Sequence, residues 1–399
     1  MKTEHYCIFS LIFLALISGS MYYNTVLVDT QAYVPSVYFL QGSVLGDDDT
    51  ERVLQSYAFK RPVEIVIAAL LEPLFGVRQA YSLLNMVIFI ATTLLFYYWL
   101  KKLFYDHEQK ETIAYGGALL YTVSLPLILY ATRVLVDVAG YLIILVGLFV
   151  IEWFFEKKEI VWYHSCLVGL VLGFSLLVRD SVVIVIPYFG LRYLCHYNLH
   201  EAIKQKQIKE SWKKISLLFF FAVCLIIPEL IFMWYYNVGF LLTGKGAAIT
   251  AGKYSLLGWL KFIIVHGAAF HVAYIFAYFG WKQEQNARRK QFYFLYGICA
   301  LIYLIGIQLV ALTSPRFTMV MFPVLLPLAA MGILFIAEKW KNAWPVHKTI
   351  ICCLIFYAII SFLGAWLYPS RTLIVEDAGG NAVINAVLEQ LKMKVGALL

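Results

Sequence analysis

Residues 60–100 read KRPVEIVIAALLEPLFGVRQAYSLLNMVIFIATTLLFYYWL and contain two apolar runs of different length. The first run, Pro62–Phe75, has 14 residues and includes Glu64 and Glu72. As a helix it would rise about 21 Å, which is too short to cross a hydrocarbon core of about 30 Å. The second run, residues 79–100, is long enough to cross it. We therefore expect an interfacial or re-entrant helix followed by a transmembrane span.

Long apolar runs recur along the whole chain. Of its 399 residues, 62% are hydrophobic and only 14% are charged, whereas soluble domains carry about 25% charged residues. The pattern predicts an all-α polytopic membrane protein with about eleven transmembrane helices. The predicted spans are residues 6–28, 79–100, 112–130, 134–154, 161–178, 181–197, 215–236, 258–280, 291–312, 317–337 and 349–367.

We expect one membrane domain over residues 1–367. Its first outer loop, residues 29–78, contains the short helix, and a small tail on the same side follows at residues 368–399. A helical pattern over residues 380–394 suggests that this tail forms a small cap. The first apolar run has no clear small-residue cleavage site, so it is interpreted as an uncleaved span.

The basic residues predict the orientation. More than half of the 32 Lys and Arg residues fall in short loops on the side of the N-terminus, provided that Pro62–Phe75 does not cross the membrane. The positive-inside rule then places the N-terminus in the cytoplasm. The net charge of +8 is accordingly interpreted as an orientation signal, and no nucleic-acid partner is predicted. The compact size favours a bacterial inner membrane.

The sequence leaves a metal site open without predicting one. The seven cysteines form no C-x-x-C motif, so neither a disulfide framework nor a cysteine metal site is inferred. Asp47, Asp48 and Asp49 could bind a divalent cation, although an acidic run in a loop is usually only solvated. His266 and His271 would lie about 140° apart around a helix, so they are expected to be packed rather than to share a metal.

Charged residues gather at the predicted outer ends of the spans. Ionisable side chains are costly inside a bilayer and mark functional sites by default, although any one of them could pair locally or reach the interface. The cytoplasmic halves of the spans are nearly free of such residues, which favours a shared role for the set. The residues are Asp29, Arg133, Asp137, Arg179, Asp180, Glu229 and Arg316.

Several short motifs occur in a fixed order around these charges. Asp29 and Tyr33 form a D-x-x-x-Y motif, and Arg61 precedes Pro62 and a short helix that ends at Phe75-Gly76. Three further segments follow: the R-x-x-x-D of ATRVLVD at residues 131–137, the glycine-rich GLVLGFSLLVRDSVVIVIP at 169–187, and SPRF at 314–317 with prolines at 323 and 327.

Over about residues 7–340, this order resembles the GT-C membrane glycosyltransferases. The resemblance is to the dolichyl-phosphate-mannose–protein mannosyltransferases and to the bacterial aminoarabinose transferase of lipid A. Two positions depart from the family: Thr30 follows Asp29 where a second acid is frequent, and Val63 replaces a second proline. The chain also lacks the large outer domain of many relatives, which leaves acceptor recognition open.

The resemblance implies a GT-C-type bundle with an active site at the non-cytoplasmic face. It implies transfer, with inversion, of a sugar from a polyprenyl-phosphate donor to a lipid, glycan or protein acceptor. By position, Asp29 is the candidate base and Asp137 the second candidate catalytic residue, which would hold Arg133. The candidate substrate-binding residues are Tyr33, Arg61, Arg133, Arg179 and Arg316.

These residue types suit the reaction. A phosphate is already a good leaving group, so the site needs one carboxylate to accept a proton and cations to hold the phosphate. A glycosidase needs a second carboxyl group as an acid. Arg133 and Asp137 lie four residues apart on one helical face, so a purely structural ion pair is the alternative.

Two other classes of protein remain as alternatives. A transporter or flippase for lipid-linked or anionic substrates would typically show internal repeats and polar residues near the bilayer midplane. No repeat is visible here, and the intramembrane charges lie on one side. A non-catalytic membrane scaffold is disfavoured by the same concentration of outer charges.

Overall fold

The structure of the protein is a computed structural model. The structure describes residues 2–20, 30–41, 53, 61–132, 137–197, 208–236, 256–310 and 315–367. Within these ranges the chain is helical and contains no β-strand, which confirms the predicted all-α class. Short 3₁₀ helices occupy Asp180–Ile184 and Pro315–Met321.

The described α-helices are numbered here in chain order. They are α1 Lys2–Ser20, α2 Thr30–Leu40, α3 Pro62–Phe75, α4 Val77–Leu103, α5 Lys110–Thr122, α6 Leu125–Tyr130, α7 Asp137–Phe155, α8 Trp162–Leu176, α9 Val185–Tyr197, α10 Ile208–Tyr236, α11 Leu256–Phe270, α12 Ala273–Gln283, α13 Ala287–Val310, α14 Phe322–Lys339 and α15 Val346–Leu367.

Six of the described helical segments are long and apolar enough to cross a membrane. A seventh crossing results if the bent pair α11 and α12 counts as one span. The protein is therefore a multi-pass membrane protein. The six segments are Val77–Leu103, Asp137–Phe155, Lys214–Tyr236, Ala287–Ile307, Arg316–Lys339 and Val346–Trp366.

The remaining predicted spans are shorter or broken helices. Residues 112–130 were expected to form one helix, but the chain leaves the helix after Thr122 and begins α6 with Pro126 in its first turn, because proline cannot continue a helix from before it. Residues 181–197 begin as a 3₁₀ helix. The segment at 258–280 bends by 74° near His271, whose φ of 35° is not helical. The helix α3 coincides with the predicted short helix.

The bundle has two polar ends separated by an apolar middle. The first residues of α4 and α7 lie at one end, called the upper end, and Lys101, Lys102 and Glu152 lie at the other, called the lower end. Along α7, Asp137 and Glu152 are separated by about 22 Å of helix.

Aromatic side chains fill the middle of the bundle. The ring of Phe322 lies 4.9 Å from that of Tyr121, 5.7 Å from Tyr141 and 5.1 Å from Phe270, centroid to centroid. Edge-to-face pairs of this kind contribute about 0.5–1.5 kcal/mol beyond the burial of their area. The helices α5, α7, α11 and α14 are thus joined at one level of the core.

Glycine allows two helices to approach at backbone distance. Gly169 and Gly173 lie one turn apart on α8, with the spacing of the G-x-x-x-G packing motif of membrane helices. A Cβ atom at these positions would lie 2.4 Å and 2.3 Å from backbone carbonyl oxygens of Phe221 and Leu225 on α10. The close packing of these helices fixes the direction in which the chain leaves α8, toward Arg179.

Candidate functional site

Six charged side chains meet at the upper end of the bundle, and they are called the charge cluster. They come from α3 and the residue before it, the start of α7, the turn after α8, and the second 3₁₀ helix. The cluster comprises Arg61, Glu64, Asp137, Arg179, Asp180 and Arg316.

Arg179 occupies the centre of the charge cluster. Its Nη2 lies 2.7 Å from Oδ1 of Asp137, and its Nε lies 3.3 Å from Oδ1 of Asp180. The residue has extended backbone between α8 and the 3₁₀ helix, and it is buried. One guanidinium, with its five donors, therefore links two carboxylates from different segments.

Arg61 connects the end of the first loop to the turn after α8, through a contact with Asp180. It precedes Pro62, whose fixed φ suits the first position of α3. Its Nη2 donates to Oδ2 of Asp180 at 2.7 Å, across 119 positions of sequence. The side chain of Arg61 is buried, so this contact holds the start of α3 against the turn after α8.

Asp137 begins α7 and also faces Arg316. Its Oδ2 lies 3.7 Å from Nη1 of Arg316. Tyr141, one turn later, donates its hydroxyl to the carbonyl oxygen of Arg316 at 2.7 Å. The backbone of the second 3₁₀ helix is thus held by α7, and the guanidinium of Arg316 lies 5.0 Å from the ring centroid of Phe317.

Gly140 makes room for the central arginine. A Cβ atom on Gly140 would lie 2.6 Å from Cγ of Arg179 and 2.9 Å from Oγ of Ser181. Cβ of Arg179, which is fixed to the backbone, would lie 3.1 Å away, so the root of the arginine side chain would have to change its rotamer and shift. The absence of a side chain on this face of α7 therefore positions Arg179.

Glu64 is a member of the charge cluster to which sequence reasoning assigned no role. It is 1% exposed, and neither carboxyl oxygen accepts a hydrogen bond from any described residue. Burial raises the pKa of this carboxyl well above its usual range; the nearby Arg179 and Arg61 act in the opposite direction, and Asp137 in the same direction as burial. The sequence feature that could have identified Glu64 as a site residue is its position on an apolar helix, three residues after Arg61.

The charge of the cluster depends on the state of Glu64. Among the described members, three arginines face two aspartates, so their charges sum to +1 when Glu64 is neutral and to zero when it is ionised. The raised pKa of Glu64 favours the neutral form. Three convergent guanidinium groups with several N–H donors are suited to a phosphate anion.

The structure brings together four of the seven predicted site residues: Arg61, Asp137, Arg179 and Arg316. Asp29 and Arg133 lie outside the described residues, and so does the side chain of Tyr33, whose backbone belongs to α2. Asp137 was expected to hold Arg133. Among the described residues its carboxylate contacts Arg179 and Arg316, a pairing across segments that helical spacing does not reveal, and its relation to Arg133 stays a prediction.

The other polar candidates fall elsewhere. Nδ1 of His266 pairs with Oγ1 of Thr318, and Nε2 of His271 lies 2.8 Å from Oγ of Ser361, so the two histidines have separate partners. In the described ranges, no group of three or more His, Cys, Asp or Glu side chains could hold a metal ion. Residues 47–49 lie outside these ranges, and Glu229 is buried within α10.

Two comparisons of the sequence with known proteins found no relative. No protein-family model matches the chain, and no curated protein matches it.

Proposed function

We propose that the protein is a membrane glycosyltransferase that moves a sugar from a polyprenyl-phosphate donor to a lipid, glycan or protein acceptor. The observation that carries the proposal is the convergence of Arg61, Arg179 and Arg316 at one end of the bundle. These arginines come from three distant segments and are held by the buried Asp137 and the partly buried Asp180.

The step needs one base and a set of cations. An acceptor hydroxyl oxygen forms a bond to the anomeric carbon while the bond from that carbon to the phosphate oxygen breaks. The electron pair of the broken bond leaves with the polyprenyl phosphate, and the proton of the hydroxyl passes to the carboxylate of Asp29. The three cluster arginines stabilise the charge that develops on the phosphate, and such electrostatic stabilisation is usually the largest single contribution to catalysis.

The exposure of the three arginines suggests which one meets the phosphate. The side chain of Arg316 is 17% exposed, whereas those of Arg61 and Arg179 are 6% exposed. In this proposal Arg316 contacts the donor phosphate directly. Arg179 and Asp137 hold the cluster together, and Arg61 contributes both to the ion pair with Asp180 and to donor binding.

The proposed topology has about eleven crossings in the cell inner membrane, with the N-terminus in the cytoplasm. The shorter apolar helices Glu4–Ser20 and Trp162–Leu176 support additional crossings beyond the six long helices. The charge cluster would then face the non-cytoplasmic side, where lipid-linked sugars meet acceptors outside the cytoplasm. The first outer loop would bring Asp29 and Tyr33 to the cluster.

The first test is transfer by the purified protein in nanodiscs. A panel of radiolabelled polyprenyl-phosphate sugars serves as donors, and total envelope extract supplies acceptors. We expect label in a new product, at least about a hundredfold less product with Asp29→Asn, and unchanged transfer with Glu108→Gln as a control on an exposed acid.

Two results would contradict the proposal. Full activity of Asp29→Asn would remove the proposed base. Absence of transfer across the panel, combined with movement of labelled lipid across proteoliposome membranes, would favour the transporter or flippase alternative.

The second test measures donor affinity. Arg61→Ala and Arg316→Ala are expected to weaken binding of the lipid-phosphate sugar about tenfold or more, because each removes a charged hydrogen-bond donor. Arg78→Ala is the matched control, since Arg78 is an exposed arginine near the start of α4. An unchanged dissociation constant in Arg61→Ala or Arg316→Ala would exclude that arginine from the donor site.

A further inference from the structure

The lower end of the bundle contains two adjoining cavities, far from the charge cluster. Their volumes are about 260 Å³ and 410 Å³. Both are lined by Glu156, Arg192, Arg288 and Gln291, which come from the residue after α7, from α9 and from α13. The shared residues show that the two cavities adjoin at Arg192 and Arg288, and together they are called the lower-end depression.

The floor of the first cavity is aromatic and rigid. The ring of Phe292 lies 5.4 Å from that of Trp99 and 5.6 Å from that of Tyr188, both edge-to-face. All three side chains line the cavity and are buried. The floor therefore supports the polar rim and presents an apolar surface to the part of a ligand that lies beneath its headgroup.

Two guanidinium groups share one carboxylate at the rim. Arg192 donates from Nη2 to Oε2 of Glu152 at 3.0 Å, and Arg288 donates from Nη2 to the same oxygen at 2.6 Å. Nη1 of Arg192 also donates to the hydroxyl of Tyr188 at 2.9 Å. The two arginines carry ten N–H donors against this single carboxylate, so the pair has spare donors. Asp106, which also lines the first cavity, pairs with Arg289, as does Glu284.

A third cation at the rim, Lys102, is accessible. Lys102 lies 3.0 Å from Glu156, and their side chains are 36% and 45% exposed. An exposed ion pair of this kind contributes about 0–1 kcal/mol, so a ligand anion can replace Glu156 as the partner of Lys102 at little cost.

The depth of these cations matches that of a lipid headgroup. Lys102 lies in the last turn of the candidate span Val77–Leu103, and Arg288 in the first turn of the candidate span Ala287–Ile307. Apolar side chains on the outer face of α13 continue from the rim toward the middle of the bundle, including the exposed Phe294 and Leu301. A phosphate at the rim would leave acyl chains lying along this face.

We propose that the lower-end depression binds the phosphate of a membrane phospholipid, with Arg192, Arg288 and Lys102 as its cationic ligands. Phosphate matches two convergent guanidinium groups better than a carboxylate does, because it offers more oxygens to the spare donors. The site is separate from the charge cluster, and its ligand does not depend on the proposed reaction.

The test uses the purified full chain in dodecyl maltoside, a detergent without phosphate, with bound molecules counted by native mass spectrometry. The probes are dioctanoyl phosphatidic acid, dioctanoyl phosphatidylglycerol, dioctanoylglycerol and inorganic phosphate. We expect both phospholipids to bind the native chain, and Arg288→Gln to weaken their binding about tenfold. Because the Arg288 side chain is 52% exposed, this variant is expected to fold normally.

The control variant is Lys282→Gln, which removes an exposed cation on α12 that does not line either cavity. It is expected to bind both phospholipids like the native chain. Equal binding of dioctanoylglycerol, or unchanged phospholipid binding in Arg288→Gln, would overturn phosphate recognition at this site. Binding of inorganic phosphate as tight as that of the phospholipids would assign the site to a soluble phosphate and overturn the lipid as its source.

Discussion

The two ends of the bundle use the same residue types in different surroundings. In the charge cluster, the side chains of Arg61, Arg179 and Asp137 are at most 6% exposed. At the lower end, the side chains of Lys102, Glu156 and Arg288 are 36–52% exposed. Some lower-end groups are nonetheless buried: Arg289 and Glu284 form a two-pronged pair, with distances of 2.7 Å and 3.0 Å.

The difference in exposure determines what each set of charges can do. Removing a charge from water costs several kcal/mol, and its partners must compensate that cost. The charge cluster is therefore strongly coupled, so that loss of one member leaves the others buried and uncompensated. The exposed lower-end pairs are weak, which allows their groups to exchange partners with a ligand.

The largest expected effect is that of Arg179→Ala. This change leaves Asp137 and Asp180 without their shared guanidinium, and it should lower the free energy of unfolding by about 3–5 kcal/mol. The matched change at the lower end, Arg288→Ala, should lower it by about 1 kcal/mol or less. Thermal unfolding of both variants in the same detergent measures the contrast, and equal shifts would contradict the division between a coupled and a weak set.

A smaller effect is expected from Gly140→Ala. The added methyl group overlaps the root of the Arg179 side chain, and overpacking of this kind costs about 1–3 kcal/mol. Gly190→Ala is the control, because a Cβ there meets nothing within 4 Å and alanine favours a helix over glycine by about 1 kcal/mol. Unfolding measurements should give opposite signs for the two variants; a stabilising Gly140→Ala would show that the cluster tolerates displacement of its central arginine.

The smallest expected effect is a pH-dependent gain in Glu64→Gln. Because the pKa of Glu64 is raised on folding, the native chain loses stability as the pH rises from the usual carboxyl range toward that raised pKa. Glutamine does not titrate, so the advantage of the variant should grow between about pH 5 and pH 8. Unfolding temperatures across this range measure the gain, with the partly exposed Glu72→Gln as the control. A constant difference between Glu64→Gln and the native chain would show that folding does not raise the pKa of Glu64.

Sequence patterns predicted the helical class well because they depend on local properties. Apolar runs indicated the long helices, and α3 coincides with the short run that was distinguished by length alone. The breaks within residues 112–130 and 258–280 escaped prediction, although Pro126 was a visible signal for the first. Hydropathy averages over a window, whereas a kink depends on the geometry of a few residues.

The candidate site was predicted as a list of residues but not as a set of contacts. Arg61, Asp137, Arg179 and Arg316 were selected because charge is rare in apolar segments. Their pairing was not accessible in this way: Asp137 was assigned to Arg133 by helical spacing, and the described contacts join it to Arg179 and Arg316. Glu64 was noticed only as a feature of a short helix.

The sequence by itself determined that this protein is helical, resides in a membrane and concentrates charge near particular helix ends, because composition and apolar length act locally and independently of the rest of the chain. Only the tertiary structure decided which charges share a buried space, how closely Gly140 lets Arg179 approach, and that a second depression lies at the lower end. Those features join segments that are distant in sequence, in some contacts by more than a hundred positions, and their juxtaposition follows from helix packing rather than from any local pattern.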